Sequence, residues 1–270
     1  MNLLLQRSVT LPDTGKFIMR YFAELSYQGT HYFGWQRQPG QISVQETLEQ
    51  AFSTILGVPI AMTGCGRTDT GVHARQYFAH FDCEKALPEA FERRLNKFLP
   101  TDISIHLIIP VHAEAHARFD AYQRSYEYHL SFRKMPFEQN TCYWYGHAKR
   151  PDRHLVQSAA ALLTAYAEFF PFCKSEGAAK TMHCELTRAA WIFDEEADQW
   201  VFHITANRFL RGMVRLIVGT CLNVGLGKTS LDEVRHALDT QTLLIKSQSA
   251  PPQGLFLTEV LYPFPFSKLK

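Results

Sequence analysis

No Cys-x-x-C pair occurs anywhere in the chain. Its six cysteines, Cys65, Cys83, Cys142, Cys173, Cys184 and Cys221, are scattered, a pattern that argues against a zinc ribbon and against a disulfide framework. Free thiols of this kind fit a reducing, cytoplasmic compartment. No apolar run approaches the length needed to span a bilayer, and Leu3-Leu4-Leu5 is too short for the core of a signal peptide. The net charge is only +2 at pH 7, far from the excess that announces a polyanion binder by itself. A basic binding surface, if the fold has one, must therefore be local. The three glycines clustered between Gly64 and Gly71 follow neither a dinucleotide fingerprint nor a Walker loop, since no Lys-Ser/Thr follows them. No cofactor motif is present. What remains is an ordinary globular composition, 46% hydrophobic and 20% charged over 270 residues, enough for one large or two modest domains.

Residues 1–18 read as a loose extension, and the folded pattern begins near Tyr21. Tyr21 to Tyr27 alternates as a strand. Ser43 opens a helix, with Glu46 three residues on as a capping box; Val44, Leu48, Ala51, Phe52 and Ile55 recur at helical spacing, and Gly57 closes it. Gln76 to Asp82 is a strand. Pro88 opens a second helix that carries Phe91, Leu95 and Phe98 on one face. Strands follow at 103–109 and 123–130, then a loop over 135–151. Further helices are expected over 152–167, over 208–223 with Asn207 as its cap, and over 232–238; strands are expected at 185–193, 199–206 and 255–261. The order predicts an α+β fold of two similar halves, 19–140 and 141–270. Each half has mostly antiparallel sheet flanked by helices, with a cleft between them.

Two stretches stand out chemically. Gly64-Cys65-Gly66-Arg67-Thr68-Asp69-Thr70-Gly71-Val72-His73-Ala74 packs three glycines around an Arg-Thr-Asp core. Such a backbone turns tightly and lets another group approach closely, which suits the display of one carboxylate on a rigid loop. A solvated turn with an incidental ion pair is the plainer reading of the loop taken alone. The run Arg208 to Gly219 is apolar nearly all round, yet holds Arg208, Arg211 and Arg215 at spacings of three and four. A guanidinium on a buried helix is costly unless paired. Arg215 lies deepest in the run, and Asp69 is its natural partner. A third pattern, His112-Ala-Glu-Ala-His116, spaces two histidines as metal ligands would be on a helix. Glu114 does not follow the first of them directly, so it is not a zincin motif, and helix signals there are weak.

The loop Gly-Arg-Thr-Asp-x-Gly-Val-His-Ala closely resembles the signature of the tRNA pseudouridine synthase A family. Arg124-Ser125-Tyr126-Glu127-Tyr128 resembles that family's second motif, Met213-Val214-Arg215 its third, and Ala250-Pro251-Pro252-Gln253-Gly254-Leu255 its closing motif. With Tyr-x-Gly-x-x-Tyr-x-Gly from Tyr27 to Gly34, the likeness spans Tyr21 to Tyr262. It departs at Ala167 to Phe172, where a His-Asp-Phe is absent. The resemblance implies an isomerase of uridines in the tRNA anticodon stem-loop that needs no cofactor and no metal. It makes Asp69 the nucleophile, Tyr126 the residue packed on the target base with a possible proton-relay role, and Arg215 the ion-pair partner of Asp69. Arg67 then fills the gap left by a flipped base, and Leu255 lines the pocket floor. Arg75, Arg118, Arg124, Arg208 and Arg211 are candidates to track RNA phosphates. A cytoplasmic homodimer acting on tRNA is the expected assembly. The alternatives are a non-catalytic RNA-binding module and, less favoured, a hydrolase with metal on His112 and His116.

Overall fold

The computed structural model describes residues 18–174 and 181–264. The extension expected at 1–18 falls, but for its last residue, outside them. The first strand, β1 (Met19–Tyr27), is followed by α1 (Val44–Leu56), β2 (Met62–Gly64), β3 (His73–Cys83), α2 (Phe91–Phe98) and β4 (Ile103–Val111). Then come β5 (Gln123–Ser131), β6 (Tyr143–Trp144), α3 (Arg153–Leu162), β7 (Leu186–Asp194), β8 (Gln199–Ala206), α4 (Met213–Gly225), α5 (Leu231–Thr240) and β9 (Leu255–Leu261).

The strands form a single nine-stranded sheet in the order β4-β1-β3-β9-β5-β8-β7, with β2 on β3 and β6 on β5. Alternation sets its two faces. In β8, Trp200, Phe202, Ile204 and Ala206 point inward, and Val201, His203 and Thr205 point outward. One core cluster packs α1 and α2 on the first strands, through Leu25, Leu48, Phe52, Tyr77, Phe81 and Leu95. The second packs α3 and α4 on the later strands, through Tyr128, Leu130, Val156, Phe202, Ile204 and Ile217. The last strand returns to the middle. β9 joins β3 in parallel through only two residue pairs, His73 with Phe256 and Ala74 with Leu257. It joins β5 antiparallel over a longer run, with a bulge between Ser125 and Tyr126. β5 therefore pairs on both edges with strands that follow residue 140, although it precedes that residue in the chain.

Several element ends differ from the sequence expectation. α1 has only half of its capping box: the Ser43 hydroxyl accepts from the Glu46 amide at 3.2 Å, while the Glu46 carboxylate turns to Arg37 at 3.4 Å. The reciprocal box occurs instead in α5, between Ser230 and Glu233. α2 starts at Phe91 rather than Pro88, because Ala90 is left-handed, with φ 52°. α3 closes at Leu162 and continues as a tighter turn over Leu163–Ala165.

The largest correction concerns α4. It begins at Met213, not at Arg208, because Gly212 is left-handed with φ 71° and breaks the helical path. Asn207 does not cap it; its side chain accepts from the Glu185 amide at 3.0 Å. Arg208 and Arg211 therefore lie on the approach to the helix and share no helical face with Arg215. Within α4 every residue except Arg215 is buried, so the one cation sits on a helix that is otherwise all core.

Candidate active site

The loop between β2 and β3 carries Asp69, and its shape is imposed from three sides. Gly34, with φ 83°, comes so close that a Cβ there would meet the Thr68 carbonyl at 2.2 Å. The Trp35 amide donates to that same carbonyl at 3.3 Å. Below it, the Tyr27 and Thr68 hydroxyls share a hydrogen bond of 2.8 Å, and the Tyr77 hydroxyl donates to the Gly66 carbonyl. Gly71 and Val72 close the turn, donating to Tyr32 at 3.3 Å and to Asp69 at 3.1 Å. Burial pushes the Tyr27 and Tyr77 phenols well above the usual range, so both stay neutral as hydrogen-bonding struts.

His73 locks the exit of the loop. It is buried, with Nδ1 accepting from the Gly29 amide at 2.9 Å. Its Nε2 lies 3.1 Å from the Gln253 carbonyl. A carbonyl only accepts, so the ring is neutral with the proton on Nε2, consistent with burial holding its pKa below the ordinary histidine value. One imidazole thus ties the first turn of the chain, the catalytic-type loop and the segment before β9.

That segment forms the next wall. The Ala250 amide donates to the Arg215 carbonyl at 2.9 Å, and Arg215 Nε donates back to the Ala250 carbonyl at 2.7 Å. Tyr128 donates to the Pro251 carbonyl at 2.9 Å. With Nε so held, Arg215 Nη1 reaches Asp69 Oδ2 at 3.0 Å. The Asp69 side chain is 26% exposed and that of Arg215 is 14% exposed. The carboxylate is therefore steadied from the protein side and open on the other. Among the described residues, its Oδ1 accepts no hydrogen bond.

Tyr126 comes from β5 and packs on both core clusters. Phe209 stands edge-on to its ring, with centroids 5.1 Å apart and an angle of 87°. Burial pushes the phenol up; Cys65 and Asp69 add to this, and Arg124 opposes it. The arrangement offers a carboxylate of fixed direction, a neutral aromatic ring in a largely dry setting, and a flanking cation. Such a set suits attack on, and stacking against, a flat heterocycle.

The other residues singled out in the sequence divide. Arg67 and Arg211 are exposed, and Arg208 is partly exposed, with Nη1 3.4 Å from the Thr181 carbonyl. Arg118 is exposed over the Phe119 ring at 5.6 Å. Leu255 is buried in the second core cluster. Arg75 is turned away: it pairs with Glu127 at 3.6 Å and lies over Phe256 at 5.0 Å. Strand alternation sends Glu127 to the face opposite Tyr126, so Arg75 does not flank the site. Arg124 is not free for phosphate, since its terminal nitrogens are taken up by backbone carbonyls.

His112 and His116 do not form a helical pair. The segment is a run of turns; His112 lies 3.5 Å from Glu114, and His116 Nδ1 accepts from the Arg118 and Phe119 amides. Two cavities, of about 490 and 290 Å³, border this region; His73 lines the first and Tyr126 the second. The first runs between Asp102, His106 and Phe256, the second along Glu127, Arg188 and His203, and neither is lined by Asp69 or Arg215.

A family model described as tRNA pseudouridine synthase matches residues 23–120 and 160–263. The chain belongs to the tRNA pseudouridine synthase family. It is 45% identical over 247 residues to a protein of Porphyromonas gingivalis named tRNA pseudouridine synthase A, covering 90% of this chain and 97% of that one. Against the protein of the same name from Bacteroides fragilis it is 44% identical over 248 residues, covering 91% and 97%. Against that of a Geobacillus species it is 38% identical over 244 residues, covering 88% and 96%. The synthase family match takes in the Asp69 loop and the Arg215 helix, while Tyr126 falls between its two stretches.

For a pseudouridine synthase site, sequence reasoning missed His73, Phe209 and the Ala250 carbonyl. His73 had a signal, being the histidine of the signature itself. Phe209 had none, since it read as one more apolar residue of a helix that in fact starts later.

Proposed function

We propose that the protein isomerises uridine to pseudouridine in the anticodon stem-loop of tRNA, with Asp69 as nucleophile. The C1′–N1 bond breaks, the uracil turns while held in the site, and C1′ joins C5. The proton on C5 is lost and N1 gains one, so nothing is consumed. Asp69 attacks the flipped nucleotide and is released again as the C5 glycoside is completed, Tyr126 stacks on the uracil, and Arg215 keeps the carboxylate aimed. Arg67 fills the space left in the RNA stack, and Leu255 backs the pocket. Arg118, Arg208 and Arg211 track phosphates. A cytoplasmic homodimer completes the reading; the free thiols of the described cysteines support the compartment alone.

The single observation that carries it is the Asp69 carboxylate, anchored to Arg215 at 3.0 Å through Oδ2 and partly exposed. Asp69→Asn and Asp69→Ala are expected to lower single-turnover pseudouridine formation in a tRNA transcript by more than about 1,000-fold. tRNA affinity should stay within a few-fold of wild type. Retained isomerisation in either variant overturns the role of Asp69. A wild-type protein that binds tRNA but forms no pseudouridine in any transcript would make it a binding module.

A further inference from the structure

Arg124 occupies an unusual setting for a cation beside a substrate site. Nη1 donates to the carbonyls of Ala121 at 3.1 Å and Asn207 at 2.9 Å. Nη2 donates to those of Cys65 at 2.9 Å and Arg118 at 2.7 Å. The terminal nitrogens carry four N–H groups, so this face of the guanidinium is saturated. Among the described residues no carboxylate pairs with it; four backbone dipoles solvate the charge instead.

The chain positions of those carbonyls give the arrangement its meaning. Cys65 opens the loop that carries Asp69. Asn207 opens the approach that carries Phe209 onto Tyr126 and leads, through the left-handed Gly212, into the helix of Arg215. Arg118 and Ala121 belong to the turn just before β5, the strand of Tyr126 itself. One guanidinium therefore binds the lead-ins of all three site segments, which come from opposite sides of the β3–β9 seam.

We infer that Arg124 is a positioning residue: its guanidinium fixes the Asp69 loop, the Tyr126 strand and the Arg215 helix relative to one another, and it does not contact RNA phosphate. Only arginine fits this task. An ammonium has three donors radiating from one point and cannot meet four carbonyls laid out around a planar fork. The kinetic part rests on the isomerase reading; the placement of the loop does not.

The test uses full-length Arg124→Lys and Arg124→Gln, each with three readouts. First, kcat for pseudouridine formation is expected to fall about 100-fold, as for a misplacement of reacting groups by about an ångström, with KM nearly unchanged. Second, log Kd for tRNA against log salt should keep the wild-type slope. A slope reduced by about one, with kcat preserved, identifies a phosphate contact and overturns the inference. Third, hydrogen exchange at the Gly71 and Val72 amides is expected to quicken about tenfold, with the central strands unchanged. Wild-type exchange rates in that loop overturn the inference whatever the activity. If wild-type enzyme forms no pseudouridine, the isomerase reading fails, while the exchange readout still decides the role of Arg124.

Discussion

Arg215 shows how much one side chain can organise when it is the single partly exposed residue of a buried helix. Its guanidinium reaches Asp69 at 3.0 Å and the Ala250 carbonyl at 2.7 Å. It therefore sets the direction of the carboxylate and holds the segment before β9. Lysine keeps the charge but cannot make both contacts in one plane. Methionine leaves the half-buried carboxylate without a partner. Single-turnover isomerisation should fall about 10-fold to 100-fold in Arg215→Lys and further in Arg215→Met, since each misplaces the attacking oxygen. A near-wild-type rate in Arg215→Lys, with Arg215→Met alone impaired, would mean that charge, not geometry, is what Arg215 supplies. The basic residues of this chain cannot be sorted by type alone. Arg67 is exposed, Arg75 is paired on the far face, Arg124 is saturated by carbonyls and Arg215 faces a carboxylate.

At the scale of elements, the loop between β2 and β3 is held from outside as well as by its own glycines, through Gly34 above it. A methyl at Gly34 meets the Thr68 carbonyl at 2.2 Å and is strained at φ 83°. Gly34→Ala should therefore move the loop: the expected result is a lower melting temperature, by about 1–3 kcal/mol of stability, together with a larger loss of kcat than that destabilisation explains. Full activity in Gly34→Ala would show that the loop is not positioned from this side. Much of the architecture was legible in the sequence, because strands such as β8 alternate cleanly and α1 carries both its serine cap and its terminal glycine. The pairing of Asp69 with Arg215 was legible too, because an arginine inside an apolar helix demands an anion. The start of α4 was not. Arg208 to Arg211 keeps helical spacing right up to Gly212, and only the backbone conformation of that glycine ends the pattern. β2, of three residues, is too short to show a period. The facing of Arg75 and Arg124 depends on strand register and on carbonyls far away in sequence, which residue type does not encode.

At the scale of the whole molecule, β3 and β9 meet along a seam of only two parallel residue pairs, and neutral histidines reinforce the parts around it. His73 bridges Gly29 and Gln253. His80, 7% exposed, accepts from the Ala117 amide at 3.1 Å and lies against His116. Burial, with the neighbouring His116 and Arg20, lowers the His80 pKa to about 4; burial also lowers that of His73. In the unfolded chain both titrate near 6.5. The sign follows directly: as pH falls below about 6.5 the unfolded chain takes up protons that the folded ring nitrogens refuse, so stability is lost. The contribution is complete above that value and, for His80, is lost progressively as pH falls towards about 4. At pH 5 this one group accounts for about 2 kcal/mol, a drop of roughly 4 °C or more in melting temperature relative to pH 7.5. His80→Asn retains an acceptor near the position of Nδ1 but does not titrate. Its melting temperature should therefore vary less with pH over this range, leaving the smaller slope due to His73 and the other lowered histidines. If wild type and His80→Asn lose stability in parallel from pH 7.5 to pH 5, the acid sensitivity lies elsewhere and the neutral His80 contact is not what stabilises the turn at Ala117.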